Sequence, residues 1–169
     1  AAQRAEAQHL LQVYNQLPLD VDGAEGVYLH AGRRHIIDLY GGHAVAALGY
    51  AHPDLLAALE KQAKRMYFQS NAVALEVRAA AGDALAGFAP PGLDRVFFVN
   101  SGAEANENAL RVACRATGRS RVVAIEHGFH GRTAAAAAVT WGAANGWYGF
   151  PRTPFDVDFI PRGDVEKAG

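Results

Sequence analysis

The sequence lacks the features that mark secreted, membrane or nucleic-acid-binding proteins. It contains a single cysteine, Cys114, so no disulfide can form within the chain, and we expect a buried structural thiol at this position. The longest purely apolar run, Ala134 to Val139, is far too short to span a membrane. The formal net charge is −1 and no basic stripe is present, which argues against a nucleic-acid partner.

Signals for metal binding and for export are also weak. His127 and His130 do not have metal-ligand spacing with any other histidine or with the cysteine, so we expect no metal site. The stretch from Ala1 to Gln16 mixes charged with apolar residues, which does not fit a secretory signal peptide. We therefore expect a cytoplasmic protein.

The most informative stretch runs from Val96 to Asn106. Its first four residues, Val96 to Val99, are all apolar and predict a strand that is buried on both faces. Ser101 and Glu104 then form a capping box that begins a helix. The first amides of a helix are unpaired and lie at the positive end of its dipole, so this turn predicts a phosphate site. Gly102 has no side chain and therefore lets the phosphate approach the backbone closely. Taken alone, the stretch is equally compatible with a serine that only caps its helix.

A second strand is expected close to the first. The predicted helix from Ala103 to Ala116 leads to another apolar run, Val122 to Ile125. This order predicts a strand, helix, strand unit with parallel strands, whose carboxyl ends meet at one edge of the sheet. We therefore expect the following loop, Glu126 to Thr133, to face the same crevice as Gly102.

That loop carries an aromatic ring, two imidazoles and a guanidinium between two glycines. Phe129 can stack on a planar ligand, and Arg132 offers a bidentate fork for a carboxylate. In isolation, each side chain is more simply interpreted as core packing or as a solvated charge. Beside a phosphate site, however, they predict a pocket for a planar ligand that carries a phosphate. His130 is expected to serve in hydrogen bonding within the loop.

Patterns elsewhere predict the surrounding elements. These are a helix at Ala1 to Gln16, a hairpin of Val27 to His30 with His35 to Leu39, helices at Pro53 to Met66 and Glu76 to Phe88, a surface excursion at Trp141 to Pro154, and a strand at Asp156 to Ile160. The Pro53 helix is expected to turn Leu55, Leu59 and Met66 inward and to pair Glu60 with Lys64 on its solvated face.

Three stretches of the chain together resemble a known enzyme family. FFVNSGAEANENALRVA and IEHGFHGRT look like the cofactor region of class III aminotransferases, pyridoxal-phosphate enzymes of fold type I that include acetylornithine, ornithine and 4-aminobutyrate aminotransferases. IIDLYGGHAVAALGYAHPDLLAALEKQ is similar to the segment in which those enzymes begin their large domain. The resemblance runs from about Asp20 to Pro161, which is nearly the whole chain.

The resemblance implies an α/β fold. The chain would form part of the large domain of a type I pyridoxal-phosphate transferase, a mainly parallel sheet with helices on both faces, preceded by an N-terminal helix and a β-hairpin. Residues 1–52 would belong to the small domain and to a dimer contact. Residues 53–169 would form the first, incomplete part of the large cofactor-binding domain.

The resemblance also implies roles for six residues. Three of them would hold the phosphate of pyridoxal 5'-phosphate, mostly through main-chain amides: Ser101, Gly102 and Ala103. Phe129 would stack on the pyridine ring, and Arg132 would bind the α-carboxylate of the substrate. His43 lies where relatives contact the substrate, although a loop histidine more often serves local hydrogen bonding.

No lysine of this chain fits the Schiff-base lysine that the family's chemistry requires. Lys61 and Lys64 are expected on the solvated face of a helix, and Lys167 lies in a polar stretch. We therefore assign no catalytic residue here. We expect the chain to be the amino-terminal portion of a longer transaminase, to be inactive by itself and to bind the cofactor weakly.

The function implied by the resemblance is the transfer of an amino group from an amino acid to a 2-oxo acid by a homodimer. The donor would be acetylornithine, ornithine or another ω-amino acid. Two alternatives stay open: an aminomutase or decarboxylase that uses the same cofactor and fold, and a non-catalytic α/β domain that binds a phosphate or a nucleotide. Against the second, Ser101 to Asn106 has neither GxGxxG spacing nor a P-loop ending.

Overall fold

The computed structural model describes residues 2–164, 166 and 167. The contacts between Cα atoms divide the chain into two compact units, Ala1–Leu75 and Glu76–Gly169. We refer to them as the amino-terminal and the carboxy-terminal unit. The domain boundary after residue 52 that the resemblance implies concerns the complete family fold and stays a prediction.

The amino-terminal unit combines helices with a small antiparallel sheet. In chain order its elements are α1 (Ala2–His9), β1 (Gly23–Glu25), β2 (Tyr28–Ala31), β3 (Arg34–Ile37), α2 (Gly41–Ala44) and α3 (Pro53–Arg65). The predicted hairpin is confirmed by β2 and β3, in which Tyr28 lies opposite Ile37 and Ala31 opposite Arg34. β1 adds a strand that the sequence pattern did not indicate.

The predicted first helix is too long. α1 ends at His9, whereas the sequence predicted a helix that continues to Gln16. The side chain of Gln12 gives a physical reason, because its amide nitrogen donates to the carbonyl oxygens of Glu6 at 3.1 Å and of Leu10 at 3.0 Å. The amide of Leu10 still donates to the carbonyl oxygen of Glu6 at 2.8 Å, whereas the bond from Gln12 occupies the carbonyl oxygen of Leu10 that a continued helix would use.

Helix α3 begins at its proline as predicted, but its apolar face is not covered. Leu55, Leu59 and Met66 keep 48%, 59% and 42% of their surface exposed, so the expected inward orientation is wrong within this unit. An apolar stripe is buried only where a neighbouring element packs against it. On the solvated side, the predicted ion pair of Glu60 with Lys64 is confirmed.

The carboxy-terminal unit is a mixed α/β unit with a parallel pair of strands. Its elements are α4 (Glu76–Phe88), α5 (Gly102–Thr117), β4 (Arg121–Ile125), α6 (Ala134–Ala138), a 3₁₀ turn (Ala143–Asn145) and β5 (Asp156–Ile160). β4 and β5 pair in parallel, with Arg121 opposite Asp156 and Ile125 opposite Ile160. The predicted helix at Glu76 to Phe88 and the predicted strand at Asp156 to Ile160 are confirmed.

The predicted strand at Val96 to Val99 is wrong. Within residues 2–164, 166 and 167 this stretch pairs with no strand, and Phe97 keeps 74% of its surface exposed. The parallel partner of β4 is therefore β5, and the expected pairing across α5 does not form. A strand requires hydrogen bonds to a neighbour, so an apolar run alone does not create one.

The core of the carboxy-terminal unit lies where α6 packs beside the two strands. Ala124, Ala135, Val139 and Phe155 are buried together. Partly buried side chains surround them: Leu110, Cys114, Val122, Ala138, Val157 and Phe159. The thiol of Cys114 is thus only partly buried. Among the described residues, no helix combines the length and the apolar character needed to cross a membrane.

Candidate functional site

Helix α5 begins with the predicted cap. The Oγ of Ser101, the N-cap residue, accepts a hydrogen bond from the amide of Glu104 at 3.2 Å. The carboxylate of Glu104 in turn accepts one from the amide of Asn100 at 2.7 Å, one residue before the position that a standard capping box uses. The hydroxyl proton of Ser101 is still able to donate to a ligand.

The first amides of α5 are open. Gly102 and Ala103 precede the first bonds within the helix, and their amides have no acceptor in the part of the chain that the structure describes. A Cβ added to Gly102 would meet no atom within 4 Å, so the space beside this residue is open. This end of α5 can therefore receive an anion through two backbone donors and the helix dipole.

The loop between β4 and α6 packs on the first turns of α5. The side-chain amide of Asn106 donates to the carbonyl oxygen of His130 at 2.7 Å, and the hydroxyl of Thr133 lies 3.5 Å from the carbonyl oxygen of Ala103. A Cβ on Gly131 would come within 2.5 Å of the Cβ of Ala103, and Gly131 has a φ of +134°. Only glycine permits this approach. The loop thus lies at the predicted end of α5, although the strand pairing behind that prediction is wrong.

Glu107 joins the loop to α5 and was missed by sequence reasoning. Its Oε2 accepts hydrogen bonds from the hydroxyl of Thr133 at 2.7 Å and from the amides of Ala135 at 2.7 Å and Ala136 at 3.3 Å. Its side chain is 17% exposed, and its Oε1 lies 3.3 Å from Arg111. Burial alone raises the pKa of Glu107, but these hydrogen bonds and the charge of Arg111 outweigh it and lower the pKa below its ordinary value. The signal was its position one turn beyond Ala103 on the same helix face.

The rear of the loop is fixed by residues that follow α6. The buried hydroxyl of Thr140 accepts from the amide of His130 at 2.9 Å and lies 3.2 Å from the carbonyl oxygen of Gly131. The amide of Trp141 donates to the carbonyl oxygen of Gly128 at 2.9 Å. The main chain of His130 thus bonds to residues outside the loop, the hydroxyl of Thr140 and the side-chain amide of Asn106, and the predicted hydrogen bonding of His130 within the loop stays a prediction.

The two candidate ligand-binding side chains of the loop point away from the core. Phe129 keeps 63% of its surface exposed, which argues against core packing as its role. Arg132 is exposed, and its guanidinium carbon lies 5.8 Å from the centroid of the Trp147 ring. A planar cation at this distance from an aromatic face is attracted to it.

His43 belongs to the amino-terminal unit, whereas the other five candidates lie in the carboxy-terminal unit. It sits in α2, a single left-handed turn in which its φ is 62° and that of Ala44 is 60°. Non-glycine residues rarely adopt this conformation, and each costs about 1–2 kcal/mol. The ring of Tyr40 lies 4.7 Å from the His43 ring. The turn therefore presents an exposed imidazole on a strained backbone.

The turn is held by Asp38. Its Oδ1 accepts hydrogen bonds from the amides of Tyr40 at 2.8 Å and Gly41 at 3.0 Å, and its Oδ2 accepts one from the hydroxyl of Tyr50. The bond from Tyr50 and the two amide bonds lower the pKa of Asp38, and the same carboxylate raises the pKa of Tyr50.

The sequence that carries these features matches a known enzyme family. The aminotransferase class-III family model matches residues 11–168, and the chain belongs to this family.

Curated relatives and a solved structure agree with this assignment. The acetylornithine aminotransferase of Methanosarcina acetivorans is 35% identical over 163 residues, 95% of this chain and 40% of the relative. The [LysW]-aminoadipate semialdehyde transaminase of Deinococcus radiodurans is 37% identical over 172 residues, 96% of this chain and 38% of the relative. The ornithine aminotransferase structure of Toxoplasma gondii, described with partial occupancy of PLP at its active site, is 26% identical with a TM-score of 0.84, covering 98% of this chain and 40% of that one. The chain thus spans about 40% of the length of the relatives it matches.

Proposed function

We propose that the chain supplies the cofactor-phosphate and substrate-carboxylate sites of a pyridoxal-phosphate-dependent aminotransferase. The enzyme would transfer the amino group of an acetylornithine-like ω-amino acid to a 2-oxo acid. The observation that carries the proposal is that the loop with Phe129 and Arg132 packs on the same end of α5 at which Gly102 and Ala103 leave their amides open. The relatives' names support the substrate class.

Each part of the site suits one part of the ligand. The two open amides and the hydroxyl of Ser101 provide donors for a phosphate. The exposed ring of Phe129 offers a face for the pyridine ring, and the guanidinium of Arg132 suits a carboxylate. When bound, pyridoxal phosphate supplies the electron sink for the reaction. Ala103 has no side-chain hydroxyl, so it would contribute to the phosphate site through its main-chain amide alone.

Further elements of the expected function stay predictions. His43 is proposed as a substrate contact because its strained, exposed turn fits a functional role better than a structural one. The homodimer and the requirement for a lysine outside this chain are expected from the family resemblance, and the cytoplasmic location is expected from the sequence composition.

A proline at position 102 gives a sharp test. Gly102 is the first residue of α5, and Ser101 before it is extended, so Gly102→Pro is compatible with the helix and removes only one amide donor. Gly102→Ala retains the amide and serves as the matched control. We expect pyridoxal phosphate to bind Gly102→Pro about tenfold more weakly than Gly102→Ala, since a charge-assisted hydrogen bond contributes about 1.5–3 kcal/mol.

Affinity is measured by titration of the absorbance of the cofactor and by thermal shift, with pyridoxal, NAD and ATP in parallel. Pyridoxal, which lacks the phosphate, is expected to bind both variants equally. Equal affinity of the two variants for pyridoxal phosphate would exclude α5 as the phosphate site. Stronger stabilisation by NAD or ATP than by pyridoxal phosphate would favour the nucleotide-binding alternative.

A further inference from the structure

Arg132 lies between two contacts of the loop with α5. On its amino-terminal side, Gly131 approaches Ala103 so closely that no side chain fits between them. On its carboxy-terminal side, the hydroxyl of Thr133 donates to Glu107 at 2.7 Å. The backbone of Arg132 is therefore fixed on both sides relative to the helix that carries the open amides.

The two contacts differ in kind. The approach of Gly131 limits how close the loop can come, but a van der Waals contact does not prevent the loop from moving away. The hydrogen bonds to Glu107 resist that movement, because three donors converge on one carboxylate oxygen that is largely shielded from water. Two of these donors are the amides of Ala135 and Ala136, so the carboxylate also fixes the beginning of α6.

Glu107 is attached to the same rigid element as the phosphate donors. It lies on α5 one turn after Ala103, and residues of an α-helix one turn apart keep a constant separation. Its neighbour Asn106 holds the carbonyl oxygen of His130 at 2.7 Å from the same face of the helix. The distance between the open amides and the main chain of Arg132 is thus set by α5 itself.

We propose that Glu107 is a positioning residue that holds the main chain of Arg132 at a fixed distance from the phosphate donors of α5, and so sets the region that its guanidinium can reach. The inference rests on the proposed function and deepens it, because it assigns recognition of the substrate carboxylate in part to a side chain that does not touch the substrate. Glu107 acts through Thr133 and the beginning of α6, and it selects substrates whose carboxylate lies at the corresponding distance from the reacting amine.

The test compares two probes that differ only in the carboxylate, N-acetylornithine and N-acetylputrescine, with the complete enzyme that contains this chain. Glu107→Gln retains the size of the side chain but removes its charge. We expect it to raise the KM for N-acetylornithine about five- to tenfold, to change kcat little, and to leave the KM for N-acetylputrescine unchanged. A general structural defect would affect both probes alike.

Two variants calibrate the comparison. Arg132→Ala removes the guanidinium and should abolish the preference for N-acetylornithine. Glu60→Gln makes the same chemical change as Glu107→Gln at an exposed ion pair in the other unit, and should leave both KM values as in the wild type. If Glu107→Gln behaves like Glu60→Gln, the proposed role of Glu107 is wrong.

Hydrogen exchange provides a readout that does not depend on turnover. In Glu107→Gln the amides of residues 131–136 should exchange faster, while those of residues 106–116 in α5 stay protected. Unchanged exchange at residues 131–136 overturns the inference whatever the kinetics show.

If the wild-type enzyme converts neither probe, the proposed function fails, and hydrogen exchange then decides whether Glu107 holds the loop. Should Glu107→Gln not fold, Glu107→Asp retains the charge with a shorter reach and is expected to show a weaker form of both effects.

Discussion

The two units of this chain each contain a carboxylate that binds two backbone amides and one hydroxyl. Asp38 accepts from the amides of Tyr40 and Gly41 and from the hydroxyl of Tyr50. Glu107 accepts from the amides of Ala135 and Ala136 and from the hydroxyl of Thr133. In both cases hydrogen bonding lowers the pKa of the carboxyl group below its ordinary value. The two carboxylates accept the same kinds of hydrogen bond, but they differ in how far along the sequence their donors lie.

The difference lies in what each carboxylate connects. The partners of Asp38 follow it by 2, 3 and 12 residues, so it shapes a local turn. The partners of Glu107 follow it by 26, 28 and 29 residues, so it joins a helix to a distant loop. A local carboxylate sets the conformation of a short segment, whereas a long-range carboxylate sets the distance between segments. We therefore expect loss of Glu107 to have the larger effect on stability.

The strongest test of this comparison is Glu107→Ala. The substitution leaves two amides and a hydroxyl without their acceptor in a partly buried place, where each unpaired donor costs about 1–3 kcal/mol. Because water can reach part of the site, we expect a total loss of about 3 kcal/mol in the free energy of unfolding, measured by urea denaturation. Glu60→Ala, at an exposed ion pair, should change it by less than about 0.5 kcal/mol. A loss for Glu107→Ala no greater than that of this control would contradict the comparison.

Gly131→Ala tests the same contact from the loop side. A Cβ there would overlap Ala103, and a φ of +134° is unfavourable for alanine, so we expect a loss of about 2 kcal/mol in the free energy of unfolding. Because the substitution pushes the loop away from α5, it also weakens the hydrogen bonds to Glu107. The double variant with Glu107→Ala should therefore lose less than the sum of the single losses in a double-mutant cycle. Simple additivity would show that the two contacts are independent.

Acid stability sharpens the comparison further. The folded-state pKa of Glu107 is below its ordinary value of 4.5, so its ionised form stabilises the folded protein above that pH, and this contribution is lost as the pH falls through the lowered folded-state value. The neutral side chain of Glu107→Gln does not make this contribution, so the variant has none to lose as the pH falls. The difference in free energy of unfolding between wild type and Glu107→Gln should thus be largest near neutral pH and shrink below about pH 4.5, by at most about 1.4 kcal/mol per pH unit. A difference that stays constant with pH would mean that the charge of Glu107 does not stabilise the fold.

The same contrast between local and long-range contacts explains what the sequence could predict. The hairpin, the beginning of α3 at Pro53 and the capping of α5 by Ser101 depend on residues a few positions apart, and all were predicted. The cofactor-site candidates came from motifs of the same local kind. In contrast, the absence of a strand at Val96 to Val99 depends on whether a distant segment lies beside it, which no local pattern contains.

The link through Glu107 shows the limit most clearly. Its spacing from Ala103 marks the helix face on which it lies, but the partners on that face come from a loop whose position depends on the close approach of Gly131. A glycine between a histidine and an arginine is visible in the sequence, yet the residue that it approaches is not. The candidate residues could therefore be proposed from the sequence, and their roles stay predictions, whereas the contacts that hold the loop on α5 could not be predicted.

The smallest effect is expected at Tyr50, the hydroxyl partner of Asp38. Tyr50→Phe removes one of three hydrogen bonds to a carboxylate that water can reach, and the amides of Tyr40 and Gly41 still hold the turn. It should lower Tm less than Asp38→Asn does, and both should lower it less than Glu107→Ala. Ultraviolet titration at alkaline pH gives a second measure. The bond to Asp38 raises the pKa of Tyr50, so Asp38→Asn should shift the ionisation of Tyr50 to lower pH. Tyr50→Phe, which eliminates this ionisation, identifies it in the titration curve. If Tyr50→Phe lowers Tm as much as Glu107→Ala, separation along the sequence does not determine how much such a carboxylate contributes.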